Sequence, residues 1–177
     1  GMLPAELLGL KSGKFKKFDN LIKNKKFTST LINNVDMMYK FYLSGKTNSV
    51  ILNFDKDLIS LLEWYQQLLS ESLGKKGKGF FPTISNAPKD HHSLLQLYLD
   101  GPKDKLFYIF SYKNKDKKKI IFKKIDKKLD FLNNKSLDQV KMAQKNAFIE
   151  VLKNKKIPFR EFKLKEIDET VIGEVFS

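Results

Sequence analysis

The chain has 177 residues, with 34 Lys and Arg against 20 Asp and Glu, a formal net charge of +14 and no cysteine. That length suits one domain with a real core, and 41% hydrophobic residues with 12% aromatics exclude a disordered tail. No apolar stretch approaches the ~20 residues of a membrane span, the N-terminus reads without a signal peptide, and disulfides, thiolate metal sites and cysteine nucleophiles are excluded. The expectation is a soluble intracellular protein.

In chain order, a short apolar segment over residues 2–10 is followed by a basic amphipathic stretch over 15–24. Leu31, Val35, Met38 and Tyr42 then repeat at helical spacing, which predicts a helix over 28–43 that stops at Gly45. The run S-V-I-L-N-F over 49–54 predicts a buried strand. A long helix follows over 56–73, with Leu58, Leu61, Leu62, Tyr65, Leu68 and Leu69 on its apolar face. Gly74 is expected to end it in the usual glycine C′ manner. The G-K-K-G-K-G stretch after it reads as a flexible basic loop.

A strand is predicted over 80–84, then a helix from His91 to about Leu99 with Asp90 as N-cap and Gly101-Pro102 as stop. Strands follow over 106–112 and 120–124. Ser136 caps a helix over 137–153, with Val140, Ala143, Ala147, Ile149 and Val151 near its apolar side. A last strand over 158–164 precedes a helix over 167–176. Strands alternating with helices predict βαβ units, hence a single α/β domain with a parallel sheet covered on both faces. In such sheets ligands sit beyond the carboxyl ends of the strands, which directs attention to the loops after Phe54, Ile84 and Tyr112.

The basic charge invites a nucleic-acid reading. However, Arg160 is the only arginine, so 33 of the 34 basic residues are lysine. Arginine is the residue suited to bidentate phosphate and guanine contacts. Even the densest run, nine lysines over 113–128, reads as a solvated turn and exposed strand. The charge is therefore taken as a lysine-biased surface, with no nucleic acid and no membrane as partner.

Few residues could carry chemistry. His91 and His92 are the only histidines and are adjacent. Neighbours on a helix diverge by ~100° and cannot easily share one ion, so no metal site is expected. Near a helix N-terminus the dipole favours neutral imidazole, while Asp90 favours the charged form. Glu71 lies in the last turn of the long helix and shares a face with Gln67 at i and i+4, a stripe continued by Glu63 and Ser60. A carboxylate there faces the negative end of the dipole, which strengthens it as a base. Lys75, Lys76 and Lys78 act against this.

At these residues the chain resembles the glucose-6-phosphate isomerase family. Residues 64–79, W-Y-Q-Q-L-L-S-E-S-L-G-K-K-G-K-G, resemble its W-Y-x-Q-L-x-x-E-S-x-G-K segment. Residues 89–102, K-D-H-H-S-L-L-Q-L-Y-L-D-G-P, resemble its T-D-x-H-S-x-x-Q-L-x-x-x-G-P segment, and residues 1–10, G-M-L-P-A-E-L-L-G-L, its G-L-L-P-A-A-L-L-G segment. From Lys113 onward the resemblance rests mainly on element order. It implies a flavodoxin-like, three-layer α/β/α sugar-isomerase domain with a central, mainly parallel sheet, the second of the family's two.

It also implies interconversion of glucose 6-phosphate and fructose 6-phosphate, by ring opening and proton transfer through a cis-enediol, without cofactor or metal. Glu71 aligns with the catalytic glutamate and Gln67 with the substrate-binding glutamine. His92 aligns with the catalytic histidine, which in the family reaches the partner subunit's site and so implies a homodimer. Lys89 stands where the family has threonine, and His91 where it commonly has glutamine. The first domain's phosphate-binding loop, the G-G-R-[FY]-S motif expected before Gly1 and the F-D-Q-x-x-V-E-x-x-K segment expected after Ser177 are absent from these 177 residues. The expectation is thus a cytoplasmic enzyme of which this chain is a fragment, not competent alone. The competing readings are a non-catalytic phosphosugar-binding module and, less favoured, a basic nucleic-acid binder.

Overall fold

The structure, a computed structural model, describes residues 2–15, 19–112, 119 and 127–176. In chain order its elements are α1 (Met2–Leu7), α2 (Ser12–Phe15), α3 (Asp19–Lys23), α4 (Lys25–Leu43), β1 (Asn48–Asn53), α5 (Ile59–Leu73), β2 (Phe81–Asn86), α6 (Lys89–Asp100), β3 (Lys105–Tyr112), α7 (Leu137–Asn154), β4 (Phe159–Leu164) and α8 (Glu169–Phe176). Two compact units result, residues 1–44 with 164–177, and residues 45–163.

In the helical unit, Asn24 caps α4 by accepting from the backbone N–H groups of Lys26 and Phe27. Asp168 accepts from Val171 at the start of α8, and Lys14 pairs with Glu169 at 3.3 Å. The helical spacing read in α4 is real, but no residue of α4 is buried.

The larger unit is a four-stranded parallel sheet in the order β2-β1-β3-β4, flanked by helices as a three-layer α/β fold. The two central strands, β1 and β3, are apolar runs because both of their faces are covered. Val50, Leu52, Phe54, Phe107 and Ile109 point to one face and pack with Tyr98 of α6 and Phe148, Ile149 and Leu152 of α7. Alternate residues point to the other face, where Tyr65 of α5 meets Phe110 and Phe162 stacks on Phe110 at 4.5 Å. The chain leaves β1 on one face to reach β2, then crosses on the other face to β3, so the connection reverses between β1 and β3.

Five local expectations change. The helix predicted over 56–73 opens as a 3-10 turn, Lys56–Leu58, capped by Asp55, before α5 begins. α6 starts at Lys89, so Asp90 lies in its first turn and its carboxylate accepts from the Asn86 backbone N–H at 2.7 Å. Ser136 caps α7 in a full capping box with Gln139, but the buried face of α7 is Lys145, Phe148, Ile149 and Leu152. Ala143 and Ala147 are exposed, because the burial of a lysine rotates the inward face away from the small residues. The 74–79 stretch is a defined turn, and Gly74 does not end α5 in a left-handed conformation. The strand predicted over 120–124 lies outside the described residues.

Candidate active site

The geometry at Glu71 follows from how α5 ends. Gly74 keeps φ −76, and its N–H donates to the Ser70 carbonyl at 3.0 Å. A Cβ at Gly74 would sit 2.5 Å from that carbonyl oxygen, so close backbone approach, and not positive φ, demands glycine here. The chain then reverses tightly. Lys76 (φ 56) and Gly77 (φ 70) occupy the centre of a turn in which the Lys78 N–H donates to the Lys75 carbonyl at 3.0 Å. Two successive positive φ values are the signature of the type I′ turn.

Gln66 fixes the height of α5 by donating its side-chain amide to the carbonyl of Pro82, the second residue of β2, at 2.9 Å. Glu71 is more than a helical turn further along, so it lies beyond the amino edge of the sheet. There the Gln67 side-chain amide donates to Glu71 Oε1 at 2.9 Å, with both residues exposed. The amide holds the carboxylate in one orientation. Among the described residues, no protein donor engages the second carboxylate oxygen.

The two histidines separate. His91 is half-buried, its ring 4.9 Å from that of Phe148 and 5.6 Å from that of Phe54. Its Nε2 is buried without a hydrogen-bond partner. Burial pushes its pKa below the ordinary histidine value and outweighs the opposing charge of Asp90. His91 is thus a neutral core ring. His92 is exposed.

Glu71 and His92 do not come together within one chain. α5 ends before the start of β2, and α6 begins after its end. At ~3.3 Å per residue the six residues of β2 span about 20 Å. The two side chains stand at opposite edges of the sheet, too far apart to act on neighbouring carbons of one small molecule.

At the carboxyl edge, where the sequence directed attention, the structure places a polar network that sequence reasoning missed. Asp55, 4% exposed, pairs with Lys141 at 2.5 Å, and Lys141 also reaches Asp138 at 3.1 Å. Burial disfavours the charge on Lys141, but hydrogen bonds to Asp55 and Asp138 outweigh it and raise its pKa. Lys145, 3% exposed, donates to Glu161 at 2.7 Å and to Ser111 Oγ at 3.0 Å. Lys141 and Lys145 are four apart on α7, a usable signal, but the abundance of lysine hides it. Among the described residues, no group of three His, Asp or Glu could hold a metal ion. No described helix is long and apolar enough to cross a membrane.

Comparison with known proteins places this geometry in context. Glucose-6-phosphate isomerase of Methanocaldococcus jannaschii is 34% identical over 98% of this chain and 44% of its own length. The enzyme of Mycoplasmopsis pulmonis is 32% identical over 99% of this chain and 43% of its own. A probable glucose-6-phosphate isomerase of Methanococcus maripaludis is 32% identical over 90% and 35%. No family model matches the chain. A solved structure of a hypothetical protein from Thermus thermophilus superposes with a TM-score of 0.81 at 22% identity, over 99% of this chain and 44% of that one; at that identity it speaks for the fold alone. The chain spans less than half the length of these relatives, and over that length it belongs to the glucose-6-phosphate isomerase family.

Proposed function

We propose that this chain is the second sugar-isomerase domain of a cytoplasmic glucose-6-phosphate isomerase and carries its proton-transfer base. The substrate is a phosphosugar, glucose 6-phosphate or fructose 6-phosphate, and no cofactor is required. The observation that carries the reading is the hydrogen-bonded Gln67–Glu71 pair, exposed at the end of α5.

Once the ring is open, Glu71 takes the proton from C2 while the C1 carbonyl oxygen gains one, giving the cis-enediol. The same carboxyl returns its proton to C1 as the C2 hydroxyl loses one and becomes the ketone. One base serving two adjacent carbons needs a carboxylate that is held but not enclosed, and the Gln67 amide supplies that restraint. General base catalysis of this kind contributes ~10²–10⁴-fold. His92 assists ring opening.

Because Glu71 and His92 stand at opposite edges of the sheet, His92 of one subunit serves Glu71 of the other, in a homodimer. Subunit complementation in the complete enzyme tests this. Glu71→Gln and His92→Ala homodimers should each be nearly inactive. Mixed one to one, half of the dimers are hybrids with one intact site of two, so activity should recover to about a quarter of wild type. Recovery no greater than the mean of the two single variants would refute the shared site, and a Glu71→Gln enzyme within tenfold of wild type would refute the base.

A further inference from the structure

The connections that enter the strands of the sheet unit are strongly basic. The segments that lead into the four strands, residues 45–47, 74–80, 101–104 and 155–158, all lie at its amino edge. Together they hold seven lysines (46, 75, 76, 78, 103, 155 and 156) and one acid, Asp104. Adjacent strands are ~4.8 Å apart, so four strands place these charges in a strip about 15 Å wide. Contacts tie the segments together: Lys46 Nζ donates to the Lys103 carbonyl at 3.1 Å, and the Asn48 N–H to that of Asp104 at 3.0 Å.

Little at this edge neutralises them. Asp104 is paired with Lys105 and Asp100 with Lys155. The other six lysines form no salt bridge among the described residues. α5, α6 and α7 all end at this edge, and three helix C-termini contribute about −1.5 charge. Setting that and Asp100, Asp104 and Glu71 against the seven lysines and Lys105 leaves roughly +3 to +4.

We propose that the amino edge of the sheet is a cationic funnel that draws small phosphorylated anions toward Gln67 and Glu71. The proposal rests on the reading of Glu71 as the isomerase base. A phosphomonoester carries about −1.5 to −2 charge at neutral pH. Lysines on neighbouring strands lie within one Debye length, ~8 Å at physiological salt, so their fields add along the strip.

Trp64, the only tryptophan, shares a helix face with Gln67 and Glu71 at i, i+3 and i+7 and reports the local potential. The experiment quenches its fluorescence in the 177-residue protein with iodide, caesium and neutral acrylamide, at low and high salt. It uses two double variants of equal net charge. Lys76→Asn/Lys156→Asn removes two edge charges at positions with φ 56 and φ 54, which asparagine adopts readily, so the turns are kept. Lys56→Gln/Lys135→Gln removes two exposed charges from the opposite edge.

The expected result is iodide quenching favoured over caesium by about two- to threefold at low salt, lost at high salt, reduced in the edge variant and kept in the control. An equal response of both variants, or no preference at low salt, overturns the proposal. Stopped-flow binding of glucose 6-phosphate to the complete enzyme, carrying the same two double variants, forms the second arm. Association should slow with salt and with the edge variant, and an association rate indifferent to both overturns the funnel. Failure to bind glucose 6-phosphate while the quenching asymmetry persists overturns the functional reading and leaves the funnel standing.

Discussion

Replacing Lys145 with methionine keeps the length and volume of its stem and removes only the ammonium, which isolates the electrostatic role of a lysine that is 3% exposed. The ammonium holds Ser111 Oγ at 3.0 Å and Glu161 at 2.7 Å. Stranding the buried hydroxyl costs about 1–3 kcal/mol. Breaking a fully buried ion pair costs ~3–5 kcal/mol. Glu161, however, keeps Lys163 at 3.1 Å and a side chain 19% exposed, so its loss is partial. Relief of the ammonium's own desolvation offsets some of both. We expect Lys145→Met to destabilise by about 2–3 kcal/mol, or roughly 5–10 °C in Tm for a chain of this size. Urea unfolding followed by Trp64 emission reads the sheet unit directly. Lys145→Met/Glu161→Met, with no stranded charge, should return to within ~1 kcal/mol of wild type. Burial alone would raise the Glu161 carboxyl, but hydrogen bonds from Lys145 and Lys163 outweigh it and hold it below its ordinary 4.5. A depressed carboxylate stabilises the fold above that value and loses the contribution as pH falls through the folded value. The gap between wild type and Lys145→Met should therefore narrow on acidification below about pH 4.5. A single variant within 0.5 kcal/mol of wild type at neutral pH, or a double variant less stable than the single, would refute this account of the cluster.

Two other perturbations follow from named contacts. His91→Phe retains the ring between Phe54 and Phe148 and removes an unpartnered buried nitrogen, so it should stabilise by about 1 kcal/mol at neutral pH. Because the folded His91 pKa lies below 6.5, the wild type binds fewer protons folded than unfolded and loses stability as pH falls below 6.5; the variant should lack that loss in melts across pH 5–7. Gly74→Ala places a methyl 2.5 Å from the Ser70 carbonyl oxygen, and the last turn of α5 must shift. A loss of about 1–2 kcal/mol in unfolding, with the isomerisation proposed for the complete enzyme falling more than tenfold through misplacement of Glu71, is the expected outcome, and unchanged turnover of the complete enzyme would argue that the end of α5 is not the reacting site.

The parts legible in the sequence are those set by local periodicity. The V-I-L-N run and the 106–112 run read as strands because sheets buried on both faces need continuous apolar residues. The leucine stripe of α5 and the shared face of Gln67 and Glu71 follow from 3.6 residues per turn. What was hidden depends on partners far along the chain. The inward face of α7 follows i, i+3, i+4 spacing through Lys145, Phe148, Ile149 and Leu152, but a lysine at its head disguises it, since lysine is buried only when something distant answers its charge. Here the answer is Glu161 on β4 and Ser111 on β3. Likewise the separation of His91 from His92 needs Phe148, more than fifty residues away, to make one ring a core residue. The direction of the crossover put Glu71 and His92 at opposite edges, and neither motif records that direction.

The general rule for parallel sheets directs a ligand to the carboxyl edge, at the point where the strand order reverses. In this chain that point lies between β1 and β3, and the protein's own side chains occupy it. A helix start after β1 ordinarily welcomes an anion because its first N–H groups lack partners. Here the Asp55 carboxylate takes that place, accepting from the Asp57 N–H at 3.2 Å and answered by Lys141 at 2.5 Å. Asn53 accepts from the Asp55 N–H at 2.9 Å and donates to Asn86 at 3.0 Å, which closes the gap toward β2. Lys145, Ser111 and Glu161 close it toward β4. A phosphate seeking this crevice would have to displace a paired carboxylate held 4% exposed, at the cost of an unpaired buried charge. The opposite edge offers the reverse: an exposed, oriented carboxylate and a strip of lysines whose charge is largely unanswered. Internal ion pairs close the carboxyl edge, whereas the amino edge keeps an exposed carboxylate beside lysines that form no salt bridge among the described residues, which is why the proposed sugar-phosphate site is placed there.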